Sequence, residues 1–170
     1  MKTYLALAIA CLSLQIVPTA EAHSPLEPRS SRSHQRSQST ARQRAAIENV
    51  LKSYEQALNA GDVQGVVRLY TDDAVLLAPG APSAVGINAV RAAYTGIFQA
   101  IDIDLTFDIA EVNVVSSDWA FLRSTSHGLA TVLANGARTP SSNQELFVLH
   151  KSHGRWKIAR YSFSSVLPSP

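Results

Sequence analysis

The hydrophobic period changes once along this chain, and that change limits the possible folds more than any other feature. Ile47, Val50, Leu51, Tyr54, Ala57 and Leu58 recur at helical spacing. From Asp104 onward apolar residues instead alternate or run over strand lengths, with turn residues between the runs. Helices first and an antiparallel meander afterwards is the order of an α+β domain, whose natural packing lays the helices across a curved sheet.

The elements follow from local chemistry. Thr40 with Gln43 three residues on fits a capping box that opens a first helix. Gly61 suits its end, and Asp62 suits the cap of a shorter second helix containing Val63, Val66, Val67 and Tyr70. Thr71-Asp72-Asp73 reads as a turn, Ala74 to Leu77 as a short strand, and Pro79-Gly80-Ala81-Pro82 as a loop. Asn88 is a candidate cap for a third helix reaching about Ala100. Strands are expected over Asp104–Val115, Trp119 to about Leu133, Gln144–Lys151 and Trp156–Phe163. Asn135-Gly136 and His153-Gly154 are the turns around the third of these.

The N-terminal region has a different character. Lys2, the apolar run Leu5 to Val17, and the small-residue site Ala20-Glu21-Ala22 read as a secretory signal over residues 1–22, cleaved before His23. The expected location is therefore secreted or periplasmic, with no membrane span after cleavage, because the run is too short for a spanning helix of ~20 residues. Ala8-Ile9-Ala10-Cys11 also admits a lipoprotein reading, although only a stub of hydrophobic core precedes the cysteine. Cys11 is the chain's one cysteine, so the cleaved chain would hold no thiol for disulfides, nucleophilic catalysis or metal binding. Residues 23–40 are rich in Ser, Arg and Gln with Leu26 as their one aliphatic residue, which reads as a disordered linker. From Ala41 onward eleven Lys and Arg balance eleven Asp and Glu, so no nucleic-acid footprint is expected on the domain, residues 41–166.

Asn143-Gln144-Glu145-Leu146-Phe147-Val148-Leu149 poses the sharpest chemical question. As a strand it puts Glu145 in one row with Asn143, Phe147 and Leu149. A carboxylate in such a row must be neutral, paired or hydrogen-bonded. Burial without a cation would raise its pKa and make it a donor, whereas a nearby Arg123 would lower it; both remain open, as does an outward strand-end position. Arg123, Thr125 and His127 share a strand face with Trp119 and Phe121, a row that turns from apolar to polar as if running from core to cavity mouth. His150 and His153 straddle a strand end and a turn, so they need not converge, and no metal is expected. There is no G-x-S-x-G elbow, phosphate loop, dinucleotide fingerprint or zincin motif.

Tyr54-Glu55-Gln56-Ala57-Leu58-Asn59-Ala60-Gly61-Asp62, Leu69-Tyr70-Thr71-Asp72-Asp73-Ala74, Gly86, the Asn143 to Val148 segment and Gly154-Arg155-Trp156-Lys157-Ile158-Ala159-Arg160-Tyr161 together carry a resemblance. In them the chain resembles the SnoaL-like and ketosteroid-isomerase-like branch of the nuclear transport factor 2-like superfamily. The resemblance implies a cone-shaped α+β barrel with three N-terminal helices on a curved, mainly antiparallel sheet. It implies cofactor-free chemistry and a homodimer formed sheet to sheet, for which the doubly apolar strand Leu146–Leu149 gives independent reason. In ketosteroid isomerase a tyrosine and a protonated carboxylic acid hold the developing oxyanion while a separate aspartate moves the proton. By motif position Tyr54 and Glu145 correspond to the two donors, and Ala78 stands where the base would be. Arg123, Thr125, Asn143, Phe147, Tyr161 and Phe163 are the candidate contacts to a small, largely apolar organic ligand. Three functions are compatible with these residues: a cofactor-independent isomerase or cyclase, a ligand carrier or sensor, and an assembly module.

Overall fold

A computed structural model describes residues 29–166. In chain order the elements are α1 (Arg29–Asn59), α2 (Val63–Arg68), β1 (Tyr70–Leu77), β2 (Ala84–Val85), α3 (Ile87–Ala100), β3 (Ile101–Val114), β4 (Trp119–Val132), β5 (Arg138–Ser152) and β6 (Arg155–Ser165). The six strands form one sheet in the order β2-β1-β6-β5-β4-β3. All neighbours are antiparallel except β1 and β6, which are parallel. Register shifts at Ile109/Glu111 and at Val148/Leu149 bend the long strands, and the helices pack against the curved sheet.

The end of α1 follows from its sequence. Gly61 takes φ 62°, Gly61 N–H donates to Leu58 O at 3.1 Å, and Asp62 N–H donates to Ala57 O at 2.9 Å, a Schellman closure that glycine makes without strain. Asp62 then caps α2, its side chain accepting from Gly65 N at 2.8 Å.

Several expected boundaries move. Thr40 does not open α1: the helix continues back to Arg29, and Thr40 Oγ1 donates to Arg36 O one turn earlier. Within the span expected to be a linker, residues 29–40 are therefore helical. No Pro or Gly interrupts residues 29–40, so the helix formed by the buried α1 stripe propagates back through them although side chains 34–40 are exposed. The signal segment and residues 23–28 lie outside the described residues. Gly86, at φ 82°, precedes α3 in place of Asn88. β1 begins at Tyr70 and β5 at Arg138, so the Thr71-Asp72-Asp73 turn is strand instead. The Asn135-Gly136 and His153-Gly154 turns lie where the sequence puts them, with Gly136 at φ 69°, His153 at 50° and Gly154 at 76°.

The core lies between α1 and the inner face of the sheet. Ile47, Leu51, Tyr54 and Leu58 from α1 are buried with Leu122, Phe147, Leu149, Ile158 and Tyr161, each large apolar side chain contributing about 1.5–3 kcal/mol on burial. α1 also covers the sheet edge at β3. Asn59 Nδ2 donates to Leu105 O at 2.8 Å while Leu105 N–H donates to Asn59 Oδ1 at 3.0 Å, and Phe107 N–H donates to Glu55 Oε2 at 3.1 Å. Backbone groups an edge strand would leave open are thereby satisfied. Among the described residues no helix is long and apolar enough to cross a membrane.

Candidate functional site

Between α1, α3 and the inner sheet face lies a cavity of about 520 Å³, within the range of small-molecule sites. Its walls are mainly aliphatic, with Leu58, Leu76, Ile97, Ile101, Ile103 and Pro82 among them. None of the described residues lining it is Asp, Glu, Lys, Arg or His. Its polar groups are the phenols of Tyr54, Tyr94 and Tyr161, three serines and Asn143.

Tyr54 is 2% exposed, and its ring packs edge-on against Phe147 and Tyr161, each at 5.5 Å, and Phe107 at 5.8 Å. Its hydroxyl lies 2.8 Å from that of Tyr94, which lies 2.7 Å from that of Tyr70. Helical spacing on α1 turns Tyr54 inward, and on α3 the i, i+4 pair Val90 and Tyr94 is buried in the same way. Burial pushes the phenols of Tyr54, Tyr70, Tyr94 and Tyr161 well above the ordinary tyrosine range, with repulsion among neighbouring phenolates adding to it. All four are therefore neutral hydroxyls at physiological pH. The Tyr161 phenol adjoins that of Tyr54 as a further hydrogen-bonding neighbour, and four hydroxyls joined in series by three such links still leave one proton for a further acceptor.

Glu145 is 5% exposed and faces inward with Asn143, Phe147 and Leu149. Its Oε2 accepts from Ser124 Oγ at 2.7 Å, and its Oε1 has no hydrogen-bond partner. Burial pushes the carboxyl above the usual range, and hydrogen bonding to Ser126 and Ser124 pulls it partway back. Arg123, which could have lowered it, points away. The expectation that Glu145 opens into the cavity needs correction: it is not one of the lining residues, although it is close enough to Tyr54 and Tyr161 for their phenols to feel its charge.

Of the candidate contacts, Asn143, Tyr161 and Phe163 line the cavity. Phe147 lies behind it, stacked on Tyr161 at 4.1 Å with 9° between the rings. Arg123 and Thr125 do not belong to the site. Both are exposed on the outer face of β4, where Arg123 Nε bonds Glu111 Oε2 at 2.9 Å. Strand parity explains the error: Trp119 and Phe121 suggest the core row by size, yet Ala120, Leu122, Ser124 and Ser126 are the buried residues. Small inward residues leave the volume that the cavity occupies. His127 is exposed beside Asp108 at 3.4 Å, His150 stacks on Trp119 at 4.4 Å, and His153 Nδ1 pairs with Ser152 Oγ at 3.0 Å. Among the described residues no group of three or more His, Cys, Asp or Glu is placed to hold a metal.

Tyr94, Tyr70, Ser124 and Ser126 escape a reading of the sequence alone. The Val90-Tyr94 spacing carries a signal for Tyr94, and the alternating small residues of β4 carry one for the serines. Ala78, where the resemblance would put an isomerase's base, lines the cavity.

A family model described as a SnoaL-like domain matches residues 50–160. A ketosteroid isomerase-like protein from Erwinia carotovora atroseptica is 42% identical, with a TM-score of 0.71 over 74% of this chain and 97% of that one. A conserved protein from Planctomyces limnophilus is 26% identical, with a TM-score of 0.64 over 72% and 96% of the two chains. A scytalone dehydratase-like protein from Novosphingobium aromaticivorans, at 17% identity and a TM-score of 0.69 over 77% and 89%, shares the fold. Family match, helix order and cone-shaped cavity agree: the chain belongs to the SnoaL-like family of the nuclear transport factor 2-like fold.

Proposed function

We propose that the cavity binds a small, neutral, largely apolar organic molecule and holds its oxygen against the Tyr54 hydroxyl. The observation that carries this reading is the convergence of a hydroxyl chain on a mainly apolar cavity of about 520 Å³. When Tyr70 donates to Tyr94 and Tyr94 to Tyr54, the spare proton lies at the Tyr54 end of the chain, which Tyr161 adjoins, where it can meet a carbonyl or developing enolate oxygen, and the bonds behind it polarise one another. When the chain runs the other way, Tyr54 accepts from a guest hydroxyl. A preorganised donor of this kind stabilises charge that appears during reaction more than charge in the resting guest.

A catalytic reading is favoured by Glu145, a buried carboxyl without a cation beside two of these tyrosines. Burial raises its pKa and so disfavours the negative charge that would oppose an enolate, and the chemistry would be cofactor-independent isomerisation or cyclisation. Ala78 offers no base, so the acceptor for the substrate's proton would have to come from the substrate or from water. Without such an acceptor the same site is a carrier.

Two further proposals complete the reading. The exposed apolar residues of the outer sheet face, Trp119 at 41% and Leu146 at 42% exposure, support a homodimer packed sheet to sheet. The Lys2 to Ala22 segment supports export to a secreted or periplasmic location.

Fluorescence titration with 4-hydroxybiphenyl tests the binding reading. Saturable one-to-one uptake, abolished by Ala93→Trp in the cavity wall, is expected. Absence of uptake, or uptake unaffected by filling the cavity, rejects it.

A further inference from the structure

The inner sheet face carries a second polar row, separate from the tyrosines. Ser126 on β4 pairs with Asn143 on β5, and Asn143 pairs with Ser165 on β6, so three small polar residues stand side by side across three strands. All three line the cavity, as does Ser141. Asn143 Nδ2 donates to Ser126 Oγ at 3.2 Å and to Ser141 Oγ at 3.3 Å. The amide is thereby oriented, and its Oδ1 faces away from the two serines as an acceptor.

This row is four residues along β5 from Phe147, against which Tyr54 packs. At ~3.4 Å per residue, roughly 14 Å of strand separates Asn143 from Phe147, beside which Tyr54 lies. Of the intervening row, Ser124, Glu145 and Phe163, Phe163 alone reaches the cavity, so the wall between the poles is apolar. A purely apolar guest would strip water from the serine and asparagine groups and give nothing back. A carboxylate or phosphate would find no lining cation to offset its desolvation.

We propose that Ser126, Asn143, Ser165 and Ser141 form a second recognition subsite, and that the guest is a neutral, two-ended molecule. It has a ring-bearing carbon skeleton with one oxygen for Tyr54 and a hydroxyl at the opposite end for the Asn143 row. This rests on the cavity reading above and adds the substrate class: hydroxylated aromatic or alicyclic ketones and phenols, excluding acids and phosphate esters.

The test compares three probes on the full chain: 4-hydroxybiphenyl, 4,4'-dihydroxybiphenyl and 4'-hydroxybiphenyl-4-carboxylate. The diol is expected to bind about tenfold more tightly than the mono-ol, the return of one hydrogen bond, and the acid more weakly than either. Asn143→Leu keeps the side-chain size and should erase the diol preference, weakening the diol and tightening the mono-ol, whose apolar end no longer desolvates an unpaired amide. Ser126→Ala with Ser165→Ala checks the same row without touching the asparagine. Equal binding of mono-ol and diol to the unaltered protein overturns the subsite, as does a preference that survives both variants or an acid that binds as tightly as the diol. Failure of all three probes to bind overturns the cavity reading and this inference together, and so is distinct from failure of the subsite alone.

Discussion

Tyr54→Phe separates the structural from the functional role of the hydroxyl chain. The substitution keeps the ring and its edge contacts with Phe147, Tyr161 and Phe107. It removes one hydroxyl, while Tyr94 keeps its bond to Tyr70 at 2.7 Å. No inner hydroxyl is orphaned, so the stability cost is that of one net hydrogen bond, about 1 kcal/mol. Tyr94→Phe instead removes the middle member, breaks both bonds, and leaves the buried Tyr54 and Tyr70 hydroxyls without it. Two lost bonds come to about 2–3 kcal/mol. Urea unfolding should therefore rank Tyr94→Phe below Tyr54→Phe in stability with equal m-values. Function should rank the other way. Tyr54→Phe loses the donor at the guest, worth about tenfold in affinity for a neutral phenol and 10²–10³ in turnover if an enolate forms. Tyr94→Phe leaves Tyr54 in place and should cost less on both counts. If Tyr54→Phe is the less stable variant, or binds 4-hydroxybiphenyl as the unaltered protein does, the assignment of the free proton to Tyr54 is wrong.

Glu145 gives a pH signature. Its folded pKa is raised by burial, so the native state holds its proton more tightly than the unfolded chain; stability from this group is fully present below the ordinary glutamate value and declines as pH rises through the raised one. Melting temperatures of Glu145→Gln and the unaltered protein should diverge in the variant's favour across that window, and parallel curves would mean the carboxyl is not perturbed. Ala78→Asp adds a proton acceptor to the cavity wall, and conversion of cyclohex-3-enone to cyclohex-2-enone, followed by ultraviolet absorbance, should rise by about a hundredfold; no gain means that residue 78 does not reach the guest. Leu146→Arg puts a charge into the outer apolar face and should yield monomers by sedimentation velocity, whereas an unaltered protein already monomeric at micromolar concentration removes the proposed dimer.

The sequence discloses the architecture well because its signals are local. The α1 stripe, the Gly61 stop, the Asp62 cap and the two β-turns each act within a few residues, and each is found in the structure. Glu145 is legible for a related reason, since alternation through Asn143, Phe147 and Leu149 determines its face from its own strand. Arg123 and Thr125 fail because β4 is apolar on both faces near Trp119, so parity there depends on which row α1 covers. The extension of α1 is missed for the opposite reason: it carries no apolar stripe of its own and propagates from the buried part of the helix. The tyrosine chain joins residues 54, 70 and 94 from three elements, and the Ser126-Asn143-Ser165 row joins three strands. Such constellations depend on register and packing, which no single segment encodes.

The most direct measurement is a crystal structure of the protein soaked with 4-hydroxybiphenyl. The account expects the phenol oxygen inside the cone at about 2.7 Å from the Tyr54 hydroxyl, ordinary geometry for an O–H···O bond, with both rings between Phe163 and the aliphatic wall. A guest bound elsewhere, or one lying in the cavity with its oxygen turned away from Tyr54, contradicts it.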